Sequence, residues 1–153
     1  MPKMGIYTAL IISFLFVGCD REPLIESGSN YPPEKVFQHI IKSPLPESVS
    51  LLQGDAETWQ GYRAFLRFKA SPQYINSLVS SGFTSVEWQR VSYNFNLLPN
   101  LENRFKPAWN PEFLTNKKCY LNEDVENDWT NSGFHYLVID HDNGIVYFSG
   151  SGT

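Results

Sequence analysis

Phe134-His135-Tyr136-Leu137-Val138-Ile139-Asp140-His141-Asp142-Asn143-Gly144-Ile145-Val146-Tyr147-Phe148-Ser149 is the stretch whose reading sets the fold. Two runs rich in aromatic and β-branched residues flank a polar quartet, and Asn143-Gly144 readily supplies the positive φ angles of a tight turn. The pattern predicts a C-terminal β-hairpin with strands at 134–140 and 145–149. In such a strand His135 projects with Leu137 and Ile139, whereas Asp140 projects to the opposite side with Tyr136 and Val138.

Upstream of this hairpin the same two-residue alternation recurs. Tyr62, Ala64, Leu66 and Phe68 share one side and Arg63, Arg67 and Lys69 the other, which predicts a half-buried strand over 59–69 with Phe65 out of pattern. A shorter strand is expected at 49–52, joined to it through a turn at Gln53-Gly54-Asp55. Pro32-Pro33-Glu34 opens a helix in which Val36, Phe37, Ile40 and Ile41 recur at helical spacing until Ser43-Pro44. A second helix is expected over 72–81, with Ser71 as N-cap, Pro72 in the first turn, Ile75, Leu78 and Val79 on one side and Gly82 as terminator. Residues 84–88 read as a strand, and 91–121, where aromatics, asparagines and prolines mix without a period, as irregular structure. The sum is an α+β domain with a mainly antiparallel sheet, about two short helices over one face, and the terminal hairpin.

The chain has 153 residues and a formal charge of -4, with no basic run longer than Lys117-Lys118. Neither charge nor patterning suggests a nucleic-acid footprint. At the N-terminus, Lys3 precedes an uncharged stretch from Met4 to Cys19 that holds Tyr7, Thr8 and Ser13. It is too short and too polar for a membrane span, which needs ~20 mostly apolar residues. An ordinary secretory cleavage after Gly18 would leave Phe16 where a small residue is required.

Leu15-Phe16-Val17-Gly18-Cys19, followed by Asp20, resembles a bacterial lipoprotein signal peptide. That resemblance implies cleavage before Cys19, a diacylglyceryl group on its thiol, and attachment to the membrane. Two acyl chains hold a protein stably where one does not. Leu15 stands four places before the cysteine, where three is usual in this pattern. Asp20 resembles the signal that keeps enterobacterial lipoproteins in the inner membrane facing the periplasm; with a single-membrane envelope the same anchor means the outer face of the cell membrane. The expected organisation is a signal peptide at 1–18, a lipidated N-terminus and tether at 19–31, and one globular domain at 32–153. Losing Lys3 with the signal takes the formal charge from -4 to -5. With Cys19 lipidated, Cys119 has no partner for an internal disulfide and is expected to be a small buried residue beside Tyr120 and Leu121.

Catalytic signals are sparse. His39 falls on the first helix, His135 in a strand and His141 in the hairpin turn. His135 and His141 with Asp140 and Asp142 form the sharpest candidate for an acid-base pair or a metal site, although strand alternation sends His135 and Asp140 to opposite sides. The acidic run from Glu123 to Asp128 lacks the glycine and ligand order of an EF-hand and reads as an exposed loop. Trp109 and Trp129 suit either an aromatic binding face or, more simply, burial. The glycine-serine elements, including Ser149-Gly150-Ser151-Gly152, make no Gly-x-Ser-x-Gly elbow. No catalytic residue, metal ligand or cofactor is therefore assigned.

Leu45-Pro46-Glu47-Ser48-Val49, Trp59-Gln60-Gly61-Tyr62 and Pro107-Ala108-Trp109-Asn110-Pro111 resemble small bacterial domains that are themselves uncharacterised, and this brings no activity with it. The expectation is a lipid-anchored envelope module that binds another protein, as an accessory, stress-related or immunity-like factor. The alternative is a small periplasmic hydrolase or metal-dependent enzyme using His135 or His141 with the neighbouring aspartates.

Overall fold

The computed structural model describes residues 32–41, 44–58, 61–96, 109–127 and 130–153. Their element order is α1 (Pro33–Ile41), β1 (Val49–Thr58), β2 (Tyr62–Ala70), α2 (Pro72–Val79), β3 (Thr84–Val86), α3 (Trp88–Asn96), a 3₁₀ turn (Pro111–Phe113), β4 (Lys117–Asn127), β5 (Thr130–Asp140) and β6 (Ile145–Gly152). The strands form one sheet in the order β1-β2-β6-β5-β4-β3, and every neighbouring pair is antiparallel. The α+β class and the terminal hairpin are as the sequence pattern predicts.

The hairpin closes with Asp140 opposite Ile145. Asp140 is the anchor of its turn: its carboxylate accepts hydrogen bonds from the backbone N–H groups of Asp142 (3.1 Å) and Asn143 (3.3 Å) and from Asn143 Nδ2 (2.7 Å). Gly144 has φ +65°, and its carbonyl accepts from the Ala70 backbone N–H at 2.9 Å, tying the turn to the end of β2.

Alternation along the strands divides the core between two faces. On the first, Tyr62, Ala64, Leu66 and Phe68 of β2 and Leu137 and Ile139 of β5 meet Val36, Phe37 and Ile40 of α1 and Ile75 and Leu78 of α2. Pro72 enters the first turn of α2, and Ser71 Oγ accepts from the Tyr74 backbone N–H at 3.2 Å, so the predicted cap is present. On the second face lie Phe65, Val138 and Tyr147, covered by Val91 and Phe95 of α3 and by Trp109. Phe65 is thus out of the β2 pattern because the second face also carries a lid.

Four expectations need correction. There are three α-helices among the described residues, and they cover both faces of the sheet instead of one. The stretch 91–121 contains most of α3 and the start of β4, so much of it is regular. The run from Glu123 to Asn127 is not an exposed loop but the second half of β4, interrupted by register shifts between Asn122 and Val125 and between Val125 and Asn127. Finally, Gln53-Gly54-Asp55 lies inside β1. A Cβ on Gly54 would stand 2.9 Å from Pro33 Cα and 2.8 Å from Leu66 Cδ2, so this glycine serves the close approach of α1 to the sheet and not a turn.

Candidate functional site

His135 is set into the first face by the strand order. It pairs with Gly150 of β6, and on the far side of β6 Tyr62 pairs with Gly152. Strands lie ~4.8 Å apart, so the backbones of β2 and β5 are separated by roughly 10 Å across β6. Gly150 and Gly152 fall on the same face as Phe148, and their missing side chains open a window over β6. Tyr62 Oη and His135 Nε2 share a 2.9 Å hydrogen bond, their rings nearly perpendicular at 87°. A Cβ on Gly150 would come within 2.9 Å of the Phe148 ring and 3.1 Å of His135 Cδ2, which shows how closely the imidazole is held. Phe148 packs edge-on against it with centroids 4.8 Å apart.

Only 6 % of His135 is exposed, and burial lowers its pKa from 6.5 to about 4. The neutral imidazole is the form present at pH 7, because charging it would cost the hydration that the interior does not replace.

His135 and Phe148 form the floor of a concavity of about 430 Å³. Ile40 and Ile41 of α1 and Tyr74 and Leu78 of α2 stand on one side, and Asn122, Asp124, Val125 and Glu126 of β4 on the other. That volume falls within the ~300–1,000 Å³ of small-ligand sites. The irregular course of β4 shapes the rim. Asn122 Oδ1 accepts from the Asp124 backbone N–H at 3.1 Å within the register shift, while Glu123 pairs at 3.1 Å with Arg90 of α3 on the other face. Asp124 and Glu126 face the concavity without an ion-pair partner among the described residues.

The remaining candidate residues disperse. His141 and Asp142 are exposed on the hairpin turn, beside a second hollow bordered by Glu47, Lys69 and Ser71. Six residues of strand, about 20 Å, separate His141 from His135. The structure therefore joins His135 to Tyr62 and not to His141, Asp140 or Asp142. His39 is half-buried on α1. Trp109 is buried, with its ring 5.5 Å from Tyr147 and 5.8 Å from Phe65, and its Nε1 donates to the Phe95 carbonyl at 3.3 Å near the end of α3. Cys119 is a buried free thiol whose pKa is raised, chiefly by burial, against a lowering by Lys117 and with a further rise from Glu87. Cys19, Asp20, Asp128 and Trp129 lie outside the described residues. Among the described residues no three His, Cys, Asp or Glu side chains gather to hold a metal ion, and no helix is long and apolar enough to cross a membrane.

Tyr62 and the two β6 glycines were missed from sequence. The signal was there: strand alternation puts Gly150 on the His135 side of the hairpin, although nothing local reveals that β2 lies beyond it. Comparison of the chain with protein-family models, curated proteins and solved structures finds no match.

Proposed function

We propose that this chain is a lipid-anchored cell-envelope lipoprotein whose domain acts by binding a protein partner. The observation that carries the reading is Leu15-Phe16-Val17-Gly18-Cys19 with Asp20 directly after it. In this reading the Cys19 thiol receives the lipid, and Asp20 retains the protein in the inner membrane, facing the periplasm. The sequence between Cys19 and the start of α1 at Pro33 contains Glu22, Glu26, Ser27, Gly28, Ser29 and Asn30 and few apolar groups, as suits a spacer between lipid and domain. Among the described residues, His135 is buried and hydrogen-bonded to Tyr62 and stands apart from His141, Asp140 and Asp142, so the enzymatic alternative gains no support from it.

The test is incorporation of labelled fatty acid, with membrane fractionation and in-cell crosslinking. Wild-type protein is expected to carry label and to crosslink to a discrete envelope protein. Cys19→Ser is expected to lose the label and accumulate as precursor, because a hydroxyl is a far poorer nucleophile than a thiolate. Label retained in that variant rejects the anchor. Asp20→Ser is expected to keep the label and move toward the outer membrane in a two-membrane envelope; unchanged sorting rejects the inner-membrane assignment alone.

A further inference from the structure

We propose that the concavity between α1, α2 and β4 is a binding site for an organic cation, namely a primary ammonium group carried on an apolar body. The partly exposed Ile41, Tyr74 and Phe83 supply the apolar part of a concavity of about 430 Å³ whose floor includes the buried Phe148, and Ser77, Ser81 and Asn122 supply polar lining beside them. The charge preference comes from the rim. Asp124 and Glu126 border the opening, and no lysine or arginine among the described residues lines it. Glu123, next in sequence but turned to the other face, has its charge met by Arg90 at 3.1 Å, whereas Asp124 and Glu126 have no such partner among the described residues. Strand alternation puts Asp124 on the side of Asn122 and Glu123 on the other, and the register shifts flank Val125, between the two rim carboxylates. Beneath them, His135 is neutral at pH 7 and does not cancel their field. An ammonium ion at the rim gains from two carboxylates while its body covers apolar surface. An anion is repelled by the two carboxylates, and a neutral isostere gains the other contacts without the charge attraction.

Two sources present this chemistry, a free amine and the lysine side chain of a protein. The experiment uses the ¹⁵N-labelled full-length chain in detergent, titrated at low salt with phenethylammonium, 2-phenylethanol, phenylacetate and N-acetyl-lysine methylamide, with amide shifts as the readout. Phenethylammonium is expected to bind about fivefold or more tightly than the isosteric alcohol, to shift amides of α2, Asn122–Glu126 and His135, and to lose that advantage in 0.5 M salt. Phenylacetate is expected not to bind. The exposed double substitution Asp124→Asn, Glu126→Gln is expected to bring amine and alcohol to equal affinity with the melting temperature unchanged. Tighter binding of the capped lysine identifies a protein side chain as the source, and tighter binding of phenethylammonium a free amine. Equal affinity of amine and alcohol for the wild-type protein, shifts confined to other surfaces, or an undiminished amine preference in the variant overturns the proposal. The wild-type comparison decides the matter even if the variant fails to fold, and none of these outcomes depends on lipidation.

Discussion

The two faces of the sheet are built by different means. The first is covered by α1 and α2, whose apolar residues repeat at helical spacing, and it encloses a polar pair, Tyr62 and His135. The second is held by rings: Trp109 meets Phe65 and Tyr147 edge-on and stacks on Phe95 with centroids 6.0 Å apart. The first face spreads its burial over many aliphatic contacts and accepts an opening at one end. The second concentrates it in a single indole that also hydrogen-bonds the last turn of α3. Stability on the aromatic side should therefore hinge on one residue, and on the helical side on solvent conditions around one histidine.

The largest effect is expected from Trp109→Ala. It removes the ring on which Phe65, Phe95 and Tyr147 converge and should cost ~3–5 kcal/mol by denaturant unfolding. A loss below about 1 kcal/mol would mean that the aromatic face is not centred on Trp109.

The helical face should answer to acid. The folded-state pKa of His135, about 4, lies below its unfolded value of 6.5, so between these values the unfolded chain binds the extra proton. The stability this histidine contributes is complete above pH ~6.5 and is lost as pH falls through about 4, on the order of 3 kcal/mol in all. His135→Gln should flatten the stability profile across that window, leaving the slope due to carboxylates. An equally steep profile in the variant would place the acid response elsewhere.

Gly144→Val tests the turn that both faces share. A β-branched residue is strained at φ +65°, and its Cβ would stand 2.9 Å from the Ala70 carbonyl oxygen, so a loss of ~2 kcal/mol is expected in thermal unfolding. An unchanged melting temperature would show that the link from turn to β2 bears no strain. The smallest effect should come from Ser71→Ala, which removes the cap of α2 and should cost ~1 kcal/mol without touching the aromatic face. Aromatic near-ultraviolet dichroism unchanged in Ser71→Ala but collapsed in Trp109→Ala would separate the two faces directly.

The same contrast explains what the sequence discloses. On the helical face each signal is local: Pro33 and Pro72 in first turns, Ser71 as cap, and the alternation of 62, 64, 66 and 68 are visible within a few residues. The aromatic face is non-local. Trp88, Val91 and Phe95 have helical spacing, yet the β-branched, aromatic and asparagine residues of α3 have only middling helix propensity, and only contact with Trp109 and the sheet explains the helix. In β4 the period is broken by two register shifts and masked by charge, so a strand resembles a loop. Gly54 misleads because a glycine needed for close approach looks, in sequence, like a glycine needed for a turn. For the concavity, the buried state of His135 follows from alternation, but its partnership with Tyr62 requires β6 to lie between β2 and β5, and no local pattern encodes strand order.

The position of β6 also governs when the molecule can exist as a fold at all. Ile145–Gly152 follows the other described strands in the chain, yet it occupies an interior place, pairing with β2 on one side and β5 on the other. Until it emerges, the nascent chain holds two unconnected half-sheets with open edges, one from β1 and β2 and one from β3, β4 and β5. Closing them requires contacts as distant as Tyr62 with Gly152, the kind of long-range pairing that makes folding slow. The domain can therefore close only once β6 has left the ribosome, and until then both half-sheets present unpaired edges that a strand of another chain could join.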